Sequence, residues 1–151
     1  MPDYNLDRLR NIIGEINAAY AKLEKVKEIS KEEFLDSQEK IDSAKYNLIV
    51  VMEGACDICN HIAVKAGGHA PESYADCFSI LEELKLLSPE LSNKLKLMAK
   101  FRNLLVHRYS KIDNGKVYDI IQQDIPTVLE YVKTIDVYIQ KEKQNAIKRD
   151  R

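Results

Sequence analysis

A seven-residue repeat of apolar side chains in the first half of the chain most constrains its fold. The repeat consists of Phe34, Ile41, Leu48, Ala55 and Ile62. It follows Ser30-Lys31-Glu32-Glu33, in which a serine and a glutamate have the spacing of a helix-capping box. Such a repeat keeps one side of a helix packed against neighbouring helices. It predicts one helix of about 35 residues that ends at Gly67-Gly68, with Gly54 marking a close helix–helix approach or a slight kink.

Apolar residues spaced three or four apart predict four more helices. Asp3 or Asn5 is the expected cap of the first, and Ser88 and Asp124 are the expected caps of the last two. Asp113-Asn114-Gly115 is a turn signal between those two. The four helices cover residues 6–23, 73–86, 88–105 and 124–139.

The composition fits a single helical domain with few turns. The chain has 151 residues, of which only 5 are Gly and 4 are Pro, and no segment alternates as a strand does. We expect an all-α, up-and-down bundle of four or five helices, in which the first two form a long antiparallel hairpin. The domain covers residues 1–145, residues 146–151 form a charged tail, and fraying is expected from Lys141 onward.

The N-terminus and the cysteine content predict a cytoplasmic protein without membrane contact. An acid stands at position 3, and no apolar stretch of the kind found in a secretion signal follows it. The longest purely apolar run, residues 48–52, is too short to cross a bilayer. Three cysteines, an odd number, are typical of a reducing compartment.

Cys56-x-x-Cys59-x-His61 superficially suggests a zinc site. A structural zinc ion needs four ligands, and the only further candidates are Cys77 and His69. Cys56 and Cys59 also continue the buried stripe of a long helix. We therefore expect these residues to pack in the core and the protein to hold no metal.

Asp57 and His61 are four residues apart and share a helix face. They form either a helix-stabilising pair or a polar contribution to a cleft.

The segment from Phe101 to Tyr109 concentrates polar groups around an apolar centre. In a continuous helix, Arg102 and His107 lie about 140° apart. If the helix ends near Val106, both side chains instead reach one polar cleft. The alternative is a surface arginine and a histidine satisfied within the bundle.

Arg102-Asn103-x-x-x-His107-x-Tyr109 resembles the motif of the HepT-like toxins, which are small all-helical ribonucleases of the HEPN superfamily. The likeness extends along the chain. Residues 57–62 resemble the second helix of that family, and residues 71–74 and 98–101 follow in the family order.

The resemblance implies a homodimer in which two motifs meet across a composite cleft and cleave RNA without a metal or another cofactor. His107 then moves protons, since histidine titrates near neutral pH, and Arg102 holds the phosphate. Asn103 orients the phosphate or the imidazole. The family's antitoxin, an MntA-like nucleotidyltransferase, transfers AMP to the motif tyrosine, which is Tyr109 here.

The charge distribution agrees with an RNA substrate although the net charge is only −1. Residues 91–112 contain six Lys or Arg and no acid, so a basic patch coincides with the motif. Arg108 and Lys111 in this patch are candidate substrate-binding residues.

Two other functions remain open. The first is a non-catalytic helical binding module that partners a nucleotidyltransferase, and the second is a purely structural bundle.

Overall fold

The computed structural model describes residues 4–68 and 70–149. Within these residues the chain consists of helices joined by turns and contains no strands, which confirms the predicted all-α class. The elements are α1 (Leu6–Lys27), α2 (Lys31–Leu35), α3 (Gln38–Gly67), α4 (Tyr74–Glu83), α5 (Pro89–His107), a 3-10 turn (Tyr109–Lys111), α6 (Asn114–Gln123) and α7 (Pro126–Arg149).

The long hairpin is formed by α1 and α3, which pack along each other. Gly54 lies at their contact, because a Cβ atom added there would be 2.6 Å from Cγ1 of the fully buried Ile16. The glycine therefore marks a close helix–helix approach, one of the two roles predicted for it. On the other sides of α3, the helices α4, α5 and α7 complete the core, and α6 packs on α1 and α2.

The single helix predicted from Ser30 to Gly67 is wrong in one respect, because the structure divides it into α2 and α3. Ser37 adopts an extended conformation, and its hydroxyl accepts a hydrogen bond from the backbone N–H of Lys40. This serine thus caps a new helix instead of continuing the old one. Phe34 and Ile41 are both buried on either side of the break, so the apolar repeat survives it.

The turn predicted at Asp113-Asn114-Gly115 is in fact the start of α6, an additional helix. The Asp113 carboxylate caps it by accepting a hydrogen bond from the N–H of Gly115 at 2.8 Å. Asp124, the expected cap of the last helix, instead ends α6, and only its carbonyl oxygen accepts a hydrogen bond from the N–H of Thr127 in α7.

The other predicted helix ends agree more closely with the structure. Asn5, Ser30 and Ser88 each accept a hydrogen bond from the first turn of their helix. Gly68 ends α3 with a φ of 78°, the left-handed conformation that glycine favours. Asp3, the other expected cap of α1, lies outside the described residues. The last helix, α7, is helical to Arg149, and the fraying expected from Lys141 onward stays a prediction.

One helix in the described part of the chain, α3, is long and apolar enough to cross a membrane by length and composition. However, 61% of its apolar window is buried inside the bundle. The apolar side chains of α3 thus form the centre of the core.

Candidate active site

The Arg102–Tyr109 motif spans the last turns of α5 and the 3-10 turn that follows. The helix continues to His107, and Arg108 leaves it with φ −136° and ψ 39°. Because Arg102 and His107 lie in one continuous helix, their side chains point about 140° apart around its axis. The helix does end near Val106, as predicted, but His107 is still its last residue, so the expected convergence of the two side chains within one chain does not follow.

Arg102 faces α3 and is largely buried, with 15% of its side chain exposed. One guanidinium nitrogen donates to the carboxylate of Glu53 on α3, and another donates to Oδ1 of Asn103 at 2.9 Å. The guanidinium also lies 5.4 Å from the ring centre of Tyr74 on α4. A guanidinium has five N–H donors, so this arrangement fixes its orientation and leaves donors for an anion.

Asn103 is exposed beside Arg102 and opens onto a cavity of about 350 Å³ between α3, α4 and α5. Asn60 and Tyr74 also line this cavity. Amide, hydroxyl and guanidinium donors are therefore grouped around one end of the motif.

His107, Arg108 and Lys111 are exposed at the end of α5 and in the turn after it. In the part of the chain that the structure describes, the imidazole of His107 has no hydrogen-bond or ion-pair partner. It is not the buried, satisfied bundle histidine of the alternative interpretation. The three side chains are free to meet a ligand or a second chain.

Tyr109 is half-buried against the N-terminal half of α3. Its hydroxyl donates to Oδ1 of Asp42 at 2.9 Å. The ammonium of Lys45 lies 4.4 Å from the ring centre and donates to the Tyr109 carbonyl oxygen at 2.9 Å. Burial, followed by the hydrogen bond to Asp42, raises the pKa of Tyr109 to about 12.

Asp57 and His61 are not part of this site, because both face α1. Nε2 of His61 accepts a hydrogen bond from the backbone N–H of Asn5 at 3.2 Å. Desolvation, with the charges of Lys65 and Arg8, lowers the pKa of His61. Desolvation raises the pKa of Asp57 despite the nearby Arg8.

The three cysteines are buried as free thiols in the core. Burial raises the pKa of Cys56 and of Cys59, which keeps both thiols protonated. His69, which the zinc interpretation needed as a further candidate ligand, lies outside the described residues.

Sequence reasoning missed the residues of α3 that hold the motif, namely Glu53, Asp42 and Lys45. A signal for Glu53 exists in the sequence. It directly follows the apolar run at residues 48–52, and Tyr46 and Asn60, seven residues away on either side, place it on a polar face of the helix. Lys45 follows Ala44 on the apolar face, and a lysine on such a face needs a partner.

Comparison with known proteins assigns the family of this chain. The family model described as Ribonuclease HepT-like matches residues 16–135, which include the whole motif. The chain belongs to the HepT-like ribonuclease family. The resemblance carried by Arg102, Asn103, His107 and Tyr109 is thereby confirmed at the level of the family.

Two relatives and one solved structure illustrate the range of the HepT-like family. The chain is 30% identical over 117 residues to the tRNA nuclease HepT of Aphanizomenon flos-aquae, covering 78% of this chain and 80% of the relative. It is 31% identical over 94 residues to the mRNA nuclease HepT of Shewanella oneidensis, covering 62% of this chain and 71% of the relative.

The solved structure is a tri-AMPylated HEPN toxin of Shewanella oneidensis in complex with an MNT antitoxin. It matches this chain with a TM-score of 0.78 and 26% identity, covering 85% of this chain and 96% of the toxin. HepT-like relatives are thus ribonucleases, and a toxin with this fold carries AMP and binds an antitoxin.

Proposed function

We propose that this chain is the toxin of a toxin–antitoxin pair and cleaves RNA without a metal ion or cofactor, with Arg102 and His107 as catalytic residues. The observation that carries the proposal is that these two side chains of α5 lie in different environments. Arg102 is fixed by Glu53 and Asn103, whereas the imidazole of His107 is exposed at the helix end without an internal partner.

The chemistry requires only side chains that this chain supplies. A histidine takes the proton of the RNA 2′-hydroxyl, which then attacks the adjacent phosphorus, and an imidazolium returns a proton to the leaving 5′-oxygen. The remaining donors of Arg102 stabilise the charge that develops on the phosphate oxygens. Asn103 orients the phosphate, and the exposed Arg108 and Lys111 bind the flanking backbone.

We infer that two copies of the chain form the active cleft. Within one copy, Arg102 and His107 diverge by about 140° on α5. On the same helix, Leu97 and Leu104 are 69% and 46% exposed on one side, and Val106 is 42% exposed on the opposite side. An apolar groove of about 460 Å³ beside Leu97 and Leu104 provides further surface for a homodimer contact.

The test of the ribonuclease is cleavage of total cellular RNA by the purified chain in excess EDTA. We expect cleavage by the wild type, and a loss of about 100-fold or more in His107→Ala and in Arg102→Ala. Arg10→Ala on the distant α1 surface is the matched control and should cleave normally. Full activity of His107→Ala would refute the assignment. Absence of cleavage by the wild type would favour the non-catalytic binding module.

Mixing the two inactive variants tests the composite cleft. A mixed dimer of His107→Ala and Arg102→Ala has one cleft that takes Arg102 from one copy and His107 from the other. We therefore expect partial recovery of cleavage after mixing, together with a dimeric mass in solution. If both residues act within one copy, mixing restores nothing.

We further propose that an MntA-like nucleotidyltransferase neutralises the toxin in the cytoplasm by transferring AMP to Tyr109. The AMP-carrying toxin in the solved complex supports this proposal. An anionic AMP group two residues from His107 would block RNA by charge and by size. With the nucleotidyltransferase and ATP, mass spectrometry should show up to three added AMP units on the wild type, as in that relative, and none on Tyr109→Phe.

A further inference from the structure

The hydroxyl of Tyr109 lies in a polar cluster that RNA cleavage does not require. It donates to Oδ1 of Asp42 at 2.9 Å, and Nε2 of Gln38 donates to the same oxygen at 3.0 Å. Lys45, only 3% exposed, contacts both the ring and the carbonyl of Tyr109. One turn of α3 thus brings a carboxylate and an ammonium to the tyrosine from the same helix.

A phenol in this setting is a poor nucleophile until it loses its proton. Burial and the Asp42 hydrogen bond raise the pKa of Tyr109 to about 12, so the hydroxyl is protonated at neutral pH. Attack of this oxygen on a phosphorus atom therefore needs a base in contact with the hydroxyl hydrogen. In the described part of the chain, the Asp42 carboxylate is the side-chain group that accepts this hydrogen.

We propose that Asp42 is the proton acceptor when Tyr109 takes AMP from a nucleoside triphosphate, an inference that rests on the proposed modification of Tyr109. The Tyr109 oxygen forms a bond to the α-phosphorus as the bond from that phosphorus to the β-phosphate oxygen breaks. Pyrophosphate leaves, and the phenolic proton passes to Oδ1 of Asp42 and then to solvent. The chain that is silenced thus supplies the base for its own modification.

The hydrogen bond also presents the tyrosine oxygen in a suitable way. Because the O–H bond points at Asp42, the lone pairs of the oxygen remain available for the new bond. Lys45 is a positioning residue, since its bond to the Tyr109 carbonyl and its contact with the ring hold the side chain against α3. Its positive charge also favours the negative charge that develops as the proton leaves.

The experiment measures the rate of AMP transfer to the full-length chain by its nucleotidyltransferase partner, with labelled ATP and Mg²⁺, at several pH values between about 6 and 9. We expect Asp42→Asn to lower the rate roughly 100-fold at neutral pH. The ratio of the variant rate to the wild-type rate should rise by roughly tenfold per pH unit, because ionisation of the phenol in solution replaces the missing base. Titration of groups on the partner enzyme changes both rates by the same factor and therefore does not change this ratio.

Two variants serve as controls. Glu39→Gln removes an exposed carboxylate one turn before Asp42 on α3 and should leave the rate and its pH profile unchanged. Asp42→Glu keeps a carboxylate and should retain more activity than Asp42→Asn, with a wild-type pH profile. If Asp42→Asn does not fold, as judged by circular dichroism, Asp42→Glu still tests the inference, because a ratio of its rate to the wild-type rate that rises with pH would contradict it.

The possible outcomes separate this inference from the proposed function. If the wild type accepts AMP on Tyr109 and Asp42→Asn accepts it equally fast or faster, Asp42 is not the base and only restrains the tyrosine. A reduced rate of Asp42→Asn with a constant ratio across pH would also overturn the inference, since a merely structural role predicts it. If the wild type accepts no AMP, the proposed modification of Tyr109 itself is wrong.

Discussion

The side of α3 that faces α1 differs in kind from the side that faces the motif. Toward α1, the helix presents Gly54 and apolar side chains. The imidazole of His61, also on α3, accepts a hydrogen bond there from the backbone N–H at the start of α1. Toward the motif, the helix presents Asp42, Lys45 and Glu53, each bonded to Tyr109 or Arg102. One side of the helix therefore packs against the bundle, and the other holds the side chains of the motif.

The difference predicts that stability and activity can be altered separately within one helix. Changes on the α1 side should shift the free energy of unfolding, whereas changes on the motif side should shift rates. The following predictions test that separation.

The largest expected effect on stability is at Gly54. Gly54→Ala places a Cβ atom against Ile16, whereas Gly14→Ala on α1 meets no atom within 4 Å. Both substitutions gain helix propensity, so the comparison isolates the clash. We expect Gly14→Ala to be more stable than Gly54→Ala by roughly 2–3 kcal/mol, measured by urea unfolding. Equal stabilities would mean that α1 and α3 can separate at no cost.

On the motif side, Glu53→Gln should affect catalysis more than folding. The substitution removes the charge that holds Arg102, and the misplaced guanidinium then stabilises the transition state less well. We expect kcat for RNA cleavage to fall about tenfold with little change in KM. Glu39→Gln, an exposed carboxylate on the same helix, should cleave as the wild type does. A change in the melting temperature without a change in kcat would assign Glu53 to the structural side.

The pH dependence of stability should depend on His61. Its pKa is lowered in the folded state, so the unfolded chain binds the proton more readily. Neutral His61 therefore contributes stability above its ordinary pKa of 6.5, and this contribution is lost as the pH falls through the lowered folded value. We expect the melting temperature of His61→Gln to fall less on acidification than that of the wild type. Parallel curves would show that His61 is not responsible.

The smallest effect is expected at the surface ion pair of Lys31 and Asp119. Their side chains are 46% and 51% exposed, and the charged atoms are 3.1 Å apart. Such pairs contribute about 1 kcal/mol or less. Asp119→Asn should therefore leave RNA cleavage unchanged and lower the melting temperature only slightly. A loss as large as that of Gly54→Ala would contradict this assignment.

Local signals predicted much of the fold and the identity of the motif, because they act over a few residues. The caps at Asn5, Ser30 and Ser88 and the stop at Gly68 depend on neighbouring backbone groups, so they could be predicted from spacing. The break at Ser37 could not, since the same apolar repeat continues on both sides of it.

The candidate site was predicted on α5 but not on α3. The motif residues are close in sequence, whereas Arg102 and Glu53 are 49 residues apart and Tyr109 and Asp42 are 67 apart. These partners meet only because α5 and the turn after it pack against α3. Spacing within one segment carries no information about such pairs.

The unbroken course of α3 from Gln38 to Gly67 has a consequence for how this protein can change. Asp42 and Glu53 are eleven residues apart, which in an α-helix is three turns with an offset of only about 20°. Insertion of one residue between them would rotate one carboxylate about 100° away from its partner. Loops elsewhere in the chain can vary in length, but this stretch of α3 has an obligatory length, because it keeps the group bound to Arg102 and the group bound to Tyr109 in phase.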